Sequence, residues 1–221
     1  MKPVIIWDFD GTLYNSPESY FAYARHVNEL GRCDNRNFMD RCRDAIMGIG
    51  PYVGEDGWAI VAEIAREFHL EEHLQKSFEL TRESMNRGEI QIYRTDTAID
   101  VLTRKDCVHI LATNTPEKYG KPVLKELGFL EYFSKIVYGA HKPEGLKSLG
   151  KELMAQSEFV PEKVLSIGDN YVNDIKVSES MGFQTLYIDN YGSGFTGTKT
   201  VKRFHEGIPF IENFIKISIG N

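Results

Sequence analysis

Five short apolar runs, each halted by a polar residue or a glycine, constrain this chain more than any other feature. Val4-Ile5-Ile6-Trp7 stops at Asp8, and Val108 to Ala112 stops at Thr113. Ile136-Val137-Tyr138 stops at Gly139, Val164 to Ile167 at Gly168, and Thr185 to Ile188 at Asp189. Runs without polar alternation suit strands buried on both faces, as in a parallel sheet covered by helices. Helical stretches fall between them: Thr97 to Lys105, Pro122 to Leu127, Glu144 to Gln156 and Asn173 to Met181. Gly128 and Gly182 stand where helix C-caps are expected. The alternation from about residue 90 onward predicts an α/β core, a doubly wound, Rossmann-like parallel sheet.

Residues 15–88 break that rhythm, with helical patterns and no convincing strand. Pro17 to Leu30 opens with Ser16 as an N-cap and Pro17 at the first helical position. Leu70, Leu74 and Phe78 recur every four residues, the apolar stripe of another helix. The expected organisation is a core of residues 1–14 and 89–221 with a small α-helical cap of residues 15–88 inserted after the first strand.

Composition excludes several classes of function. A net charge of −6 argues against a nucleic-acid or basic membrane footprint, and no apolar run reaches the length of a bilayer span. The seven residues before Asp8 are too few for a signal peptide. Cys33, Cys42 and Cys107 are odd in number and widely spaced, which fits reduced thiols in a cytoplasmic protein better than a disulfide framework or a zinc cluster. Oligomeric state is not legible.

Ligands of open α/β sheets bind outside the carboxyl ends of the strands. Those ends here carry Asp8-Phe9-Asp10-Gly11-Thr12, Thr113-Asn114 and Gly168-Asp169, with Asp174 a few residues on. Two carboxylates separated by one residue can divide labour, one as a nucleophile and the other as an acid and base. Converging carboxylates also suit magnesium, which prefers oxygen ligands and retains several waters. Taken singly, Asp10-Gly11 could be only a turn, Thr113 only a β-branched strand residue and Lys142 only a solvated loop lysine.

Together these residues resemble the haloacid dehalogenase-like superfamily of hydrolases, in its phosphatase branch. Asp8-Phe9-Asp10-Gly11-Thr12 is similar to the family's first motif, and Val108 to Thr113 to its second. Lys142-Pro143 resembles the third, and Gly168-Asp169 with Asp174 the fourth. The resemblance implies that Asp8 attacks phosphorus and that Asp10 is the acid and base. It implies that Thr113, Asn114 and Lys142 hold the phosphoryl oxygens. Asp8, the Asp10 carbonyl and Asp169 would hold Mg2+, with Asp174 supporting that site directly, through water or by orienting Lys142. Asp10 favours phosphate esters over carbon–halogen bonds, because the dehalogenase branch lacks this second acid. Asn15, where many relatives carry an acid, and Glu144-Gly145, where many have a different loop, are departures that leave the subfamily open.

The expected activity is hydrolysis of a small phosphorylated metabolite through an aspartyl-phosphate. Phosphomutase or phosphotransferase chemistry on the same site, and a non-catalytic phosphate-binding module, are the alternatives. The glycine-rich stretch Met47 to Trp58 reads either as a substrate-contacting loop or as an ordinary connection, and Tyr14, Tyr20 and Tyr23 are equally open. His69-Leu70-Glu71-Glu72-His73 matches a zinc-peptidase pattern but lacks a third ligand, so a solvated helix face is expected. Gly192 to Gly197 matches G-x-G-x-x-G without the helix that dinucleotide binding needs, and reads as a loop near the sheet edge.

Overall fold

The computed structural model describes residues 2–32, 36–155 and 160–220. In chain order its elements are β1 (Val4–Trp7), β2 (Tyr14–Asn15), α1 (Pro17–Leu30), α2 (Arg36–Ile46), α3 (Gly57–Glu67) and α4 (Leu74–Asn86). There follow β3 (Tyr93–Arg94), α5 (Ala98–Leu102), β4 (Val108–Ala112), α6 (Glu117–Glu126), β5 (Lys135–Val137), α7 (Glu144–Met154) and β6 (Val164–Gly168). The last are α8 (Val177–Glu179), β7 (Gln184–Ile188), β8 (Lys199–Val201) and α9 (Ile208–Gly220). Two compact units result. One comprises Met1–Tyr14, Arg94–Asp189 and Gly194–Asn221; the other comprises Asn15–Tyr93 and Asn190–Ser193.

The first unit is an α/β fold. Its sheet has the order β5-β4-β1-β6-β7-β8, and every pairing is parallel. The central strands β1 and β6 are buried along their whole length, which is why their sequences show no polar alternation. At the edges, β5 is only half-buried and β8 begins with an exposed lysine. Val4, Ile6 and Val164 pack against Leu146, Leu149 and Leu153 of α7, forming one side of the core.

Some boundaries differ from expectation. The strand expected at 136–138 starts one residue earlier, and Tyr138 lies beyond it. The helix expected from Pro122 begins at Glu117, with Pro116 as its N-cap and Pro122 inside it. Pro116 supplies the preset entry, since its carbonyl accepts from the N–H groups of Tyr119 and Gly120 at 3.0 and 2.9 Å. Gly128 and Gly182 both have positive φ, as helix C-caps require. The expected helix over Asn173–Met181 is a wide π-type turn, Tyr171–Lys176, running into α8. The end of the stretch Glu144 to Gln156, like Cys33, lies outside the described residues. Gly192–Gly197 carries no helix and leads into the parallel strand β8.

The second unit is helical. Tyr20, Tyr23 and Val27 of α1, Phe38 and Cys42 of α2 and Ile60, Val61 and Ile64 of α3 form its core, with Leu74 and Phe78 packed against it. Trp58 is met edge-on by Tyr20 and Phe78, each at 5.2 Å, and the Arg82 guanidinium lies 4.4 Å over its ring. Ser16 is the N-cap residue of α1, with Pro17 next to it, and its carbonyl accepts from the Ser19 N–H at 3.0 Å; its hydroxyl makes no capping bond and donates to the Gln91 carbonyl at 2.5 Å instead. The histidine pair does not share a helix face, because His69 takes φ +57° and separates α3 from the turn Glu71–His73.

Candidate active site

The chain leaves β1 toward β4 and leaves β6 toward β7, so its direction of winding reverses between two adjacent strands. A crevice at the carboxyl ends of such a strand pair is the standard ligand position in an open α/β sheet. Asp8 follows β1 and Asp169 follows β6, and the Asp8 N–H donates to the Ile167 carbonyl at 2.9 Å. Two glycines make the crevice narrow enough for carboxylates to converge. Gly11 has φ +76°, and a Cβ there would stand 1.9 Å from Asp169 Oδ2. A Cβ on Gly168 would stand 2.4 Å from Asp174 Oδ2.

The Lys142 ammonium donates to Asp8 Oδ1 and to Asp174 Oδ1, each at 2.6 Å, and all three residues are buried. Asp174 is itself held from the backbone. Its Oδ2 accepts from the Asn170 N–H at 3.2 Å, and its carbonyl accepts from Ser166 Oγ at 3.0 Å. Carboxylate oxygens of Asp8, Asp169 and Asp174 lie within 4.8 Å of one another. Three carboxylates against one ammonium leave an excess of negative charge, and the donors are all oxygens. That donor set fits a hard divalent cation such as magnesium.

The remaining expected residues stand around this centre. Thr113 is buried at the end of β4, where its Oγ1 accepts from the Thr115 N–H at 3.1 Å. Asn114 Oδ1 accepts from the Lys142 N–H at 2.7 Å, tying the loop after β4 to the loop that carries the lysine. Asp10 takes one hydroxyl on each carboxylate oxygen: Tyr14 Oη donates to Oδ1, and Thr115 Oγ1 donates to Oδ2 at 2.7 Å. Sequence reasoning left Tyr14 open and passed over Thr115. The four-residue spacing from Asp10 to Tyr14 was the available signal; nothing in the sequence announces a partner 105 positions away.

Electrostatics follow from burial. Desolvation raises the Asp8 carboxyl to about 7, with Asp174 and Asp10 adding to the rise and Lys142 opposing it. Burial alone would push the Lys142 ammonium toward neutrality, but Asp174 and Asp8 outweigh it and hold the amine above the usual lysine range. Asp8 is therefore divided between a proton, the lysine and any cation beside it. Among the described residues the thiols are those of Cys42 and Cys107, both buried, and burial pushes them up to about 12 and about 11, away from the reactive thiolate.

Residues 5–188 match a family model described as haloacid dehalogenase-like hydrolase. A phosphoglycolate phosphatase of Nitrosococcus oceani is 35% identical over 82 residues, a stretch covering 36% of this chain and 36% of that protein's own length. A phosphorylated carbohydrates phosphatase of Thermotoga maritima is 24% identical over 190 residues, covering 83% of each. Among solved structures, a hydrolase of Bacillus subtilis bound to magnesium aligns over 95% of this chain and 98% of its own, with a TM-score of 0.65. At 16% identity that likeness is one of fold. The chain belongs to the haloacid dehalogenase-like hydrolase family.

Proposed function

We propose that this haloacid dehalogenase-like hydrolase is a magnesium-dependent phosphatase of small phosphate monoesters, acting through an aspartyl-phosphate on Asp8. One observation carries the reading: a buried lysine bridges Asp8 and Asp174 at 2.6 Å each, beside Asp169. Asp8 attacks phosphorus, the bond from phosphorus to the ester oxygen breaks, and Asp10 gives its proton to that oxygen. Water then attacks the aspartyl-phosphate, Asp10 takes a proton back, and Asp8 is released with inorganic phosphate. Thr113, Asn114 and Lys142 bind the phosphoryl oxygens, Lys142 as a compact positive charge. Held by Asp8, the Asp10 carbonyl and Asp169, with Asp174 in support, magnesium would supply the positive charge that offsets repulsion between carboxylate and phosphate dianion.

The relatives named for phosphoglycolate and for phosphorylated carbohydrates support a small phosphorylated metabolite as substrate. The helical unit from Asn15 to Tyr93 would act as the cap that excludes bulk water. Among the described residues no helix is long and apolar enough to cross a membrane, and a cytoplasmic setting fits such a substrate. The test is phosphate release from 4-nitrophenyl phosphate with and without magnesium, followed by a panel of phosphorylated metabolites. Asp8→Asn is expected to abolish turnover while leaving the fold intact; substantial turnover by that variant would overturn the role of Asp8. An isomeric phosphate in place of free phosphate would mark a mutase.

A further inference from the structure

The Asp10 carboxylate is gripped on both oxygens by hydroxyls that belong to different segments of the chain. Tyr14 Oη meets Oδ1, and Thr115 Oγ1 meets Oδ2 at 2.7 Å. Neither hydroxyl is loosely placed. The chain bends back after Gly11 so that Asp10 and Tyr14 form a backbone bridge, and the Tyr14 ring packs edge-on to Phe9 at 5.0 Å. Tyr14 is 1% exposed. The Leu13 and Thr12 carbonyls on that loop accept from the Thr95 N–H and hydroxyl, both at 2.9 Å. On the other side, Thr115 is 3% exposed, its N–H donates to Thr113 Oγ1 and its carbonyl accepts from the Gly139 N–H at 3.0 Å.

We propose that Tyr14 and Thr115 are positioning residues, holding Asp10 in the one orientation from which it delivers a proton to the leaving ester oxygen and recovers one from water. The inference rests on the phosphatase reading above. Hydroxyls suit the task because each donates to one lone pair of its carboxyl oxygen and leaves the other lone pair free to face the reacting oxygen. The carboxyl group need not rotate between the two steps. Any rotation about Cβ–Cγ breaks both bonds at once.

The experiment exploits the chemistry of the leaving group. An alkyl oxygen must be protonated as it departs, whereas a dinitrophenolate leaves without help, so only the first depends on a well-aimed acid. Tyr14→Phe and Thr115→Val each delete one hydroxyl and retain the ring or the β-branch. They are assayed with magnesium on 2,4-dinitrophenyl phosphate and on the alkyl monoester that the wild type cleaves best. The expected result is a fall in kcat/KM of about tenfold or more on the alkyl ester, with kcat/KM on the aryl ester held within about threefold. On the aryl ester kcat alone falls, because hydrolysis of the aspartyl-phosphate still needs the base, and a burst of dinitrophenol precedes the slow phase. Thr115→Ser restores the alkyl rate. Equal losses in kcat/KM on both esters, or no loss on either, overturn the inference. So does a wild type that cleaves the aryl ester alone, since no proton is then being delivered. A wild type inert toward both overturns the phosphatase reading and this inference with it. Should Thr115→Val fail to fold, Tyr14→Phe decides by the same comparison.

Discussion

Gly11 and Asp169 occupy adjoining space so closely that a single methyl group on Gly11 would stand 1.9 Å from Asp169 Oδ2. One residue belongs to the loop after β1 and the other directly follows β6, so the contact fixes how near the two acidic loops approach. Gly11→Ala must both strain a backbone at φ +76° and push the Asp169 carboxylate aside. The expected outcome is a loss of stability of at least about 1 kcal/mol. Magnesium-dependent turnover should fall at least about tenfold, a modest loss for a displaced catalytic group. A variant with wild-type turnover would show that the spacing of the two loops is not critical.

The Lys142 ammonium bridges two buried carboxylates, and its removal leaves Asp8 and Asp174 facing each other. Breaking a buried ion pair by deleting one partner costs on the order of 3–5 kcal/mol. Lys142→Met is therefore expected to lower the urea midpoint substantially in magnesium-free buffer. Adding Asp174→Asn should recover part of that loss, because one of the uncompensated charges is gone. Additive losses in the double variant would show that the pair is not energetically coupled.

Magnesium binding should be visible apart from catalysis. The excess negative charge shared by Asp8, Asp169 and Asp174 predicts a rise in melting temperature with millimolar magnesium, and Asp169→Asn should remove most of it. The sign of the pH dependence follows from Asp8. Burial raises its carboxyl to about 7, so protons compete with the cation below that pH and not above it. Calorimetry should find affinity weakening by up to about tenfold per pH unit below 7. An affinity constant from pH 8 to pH 5.5 would contradict the assignment of Asp8 as a ligand.

What was legible in the sequence was whatever burial writes into composition. β1, β4, β6 and β7 announce themselves because both faces are covered, and their ends fall at Asp8, Thr113, Asp169 and Asp189 within a residue. α9 passed unread, although its residues Ile208, Phe210, Ile211, Phe214, Ile215, Ile217 and Ile219 are apolar; Ile217 and Ile219 are exposed, so no clean stripe separates core from solvent. The convergence of Asp8 and Asp169 could be inferred because strand ends share an edge. The hydroxyls on Asp10 could not, since Thr115 is an ordinary loop threonine until folding brings it there. Ser16 was legible as the N-cap of α1, but not that its hydroxyl leaves the helix end unbonded, because the Gln91 carbonyl is a partner that local spacing does not reveal.

His109 gives the core its own pH dependence, independent of the acidic crevice. Trp7 Nε1–H donates to His109 Nδ1 at 3.1 Å, so that nitrogen must carry a lone pair, and Nε2 lies 3.4 Å from Cys107 Sγ. Protonation would set two donors against each other inside the sheet. Burial lowers the imidazole from its usual 6.5 to about 4. The unfolded chain then binds a proton below about 6.5 that the folded chain refuses until about 4. His109 imposes no penalty above pH 6.5, and stability drains away as pH falls from there toward 4, by up to about 3 kcal/mol. Asp8 acts with the opposite sign over much of the same range, because its folded value of about 7 favours the protonated native state. The two are separated by difference. His109→Gln, which keeps an acceptor for the Trp7 indole, should be less stable than wild type at pH 7 and lose less on acidification to pH 5. Urea midpoints at the two pH values measure this, and parallel losses in both proteins would remove His109 from the account of acid sensitivity.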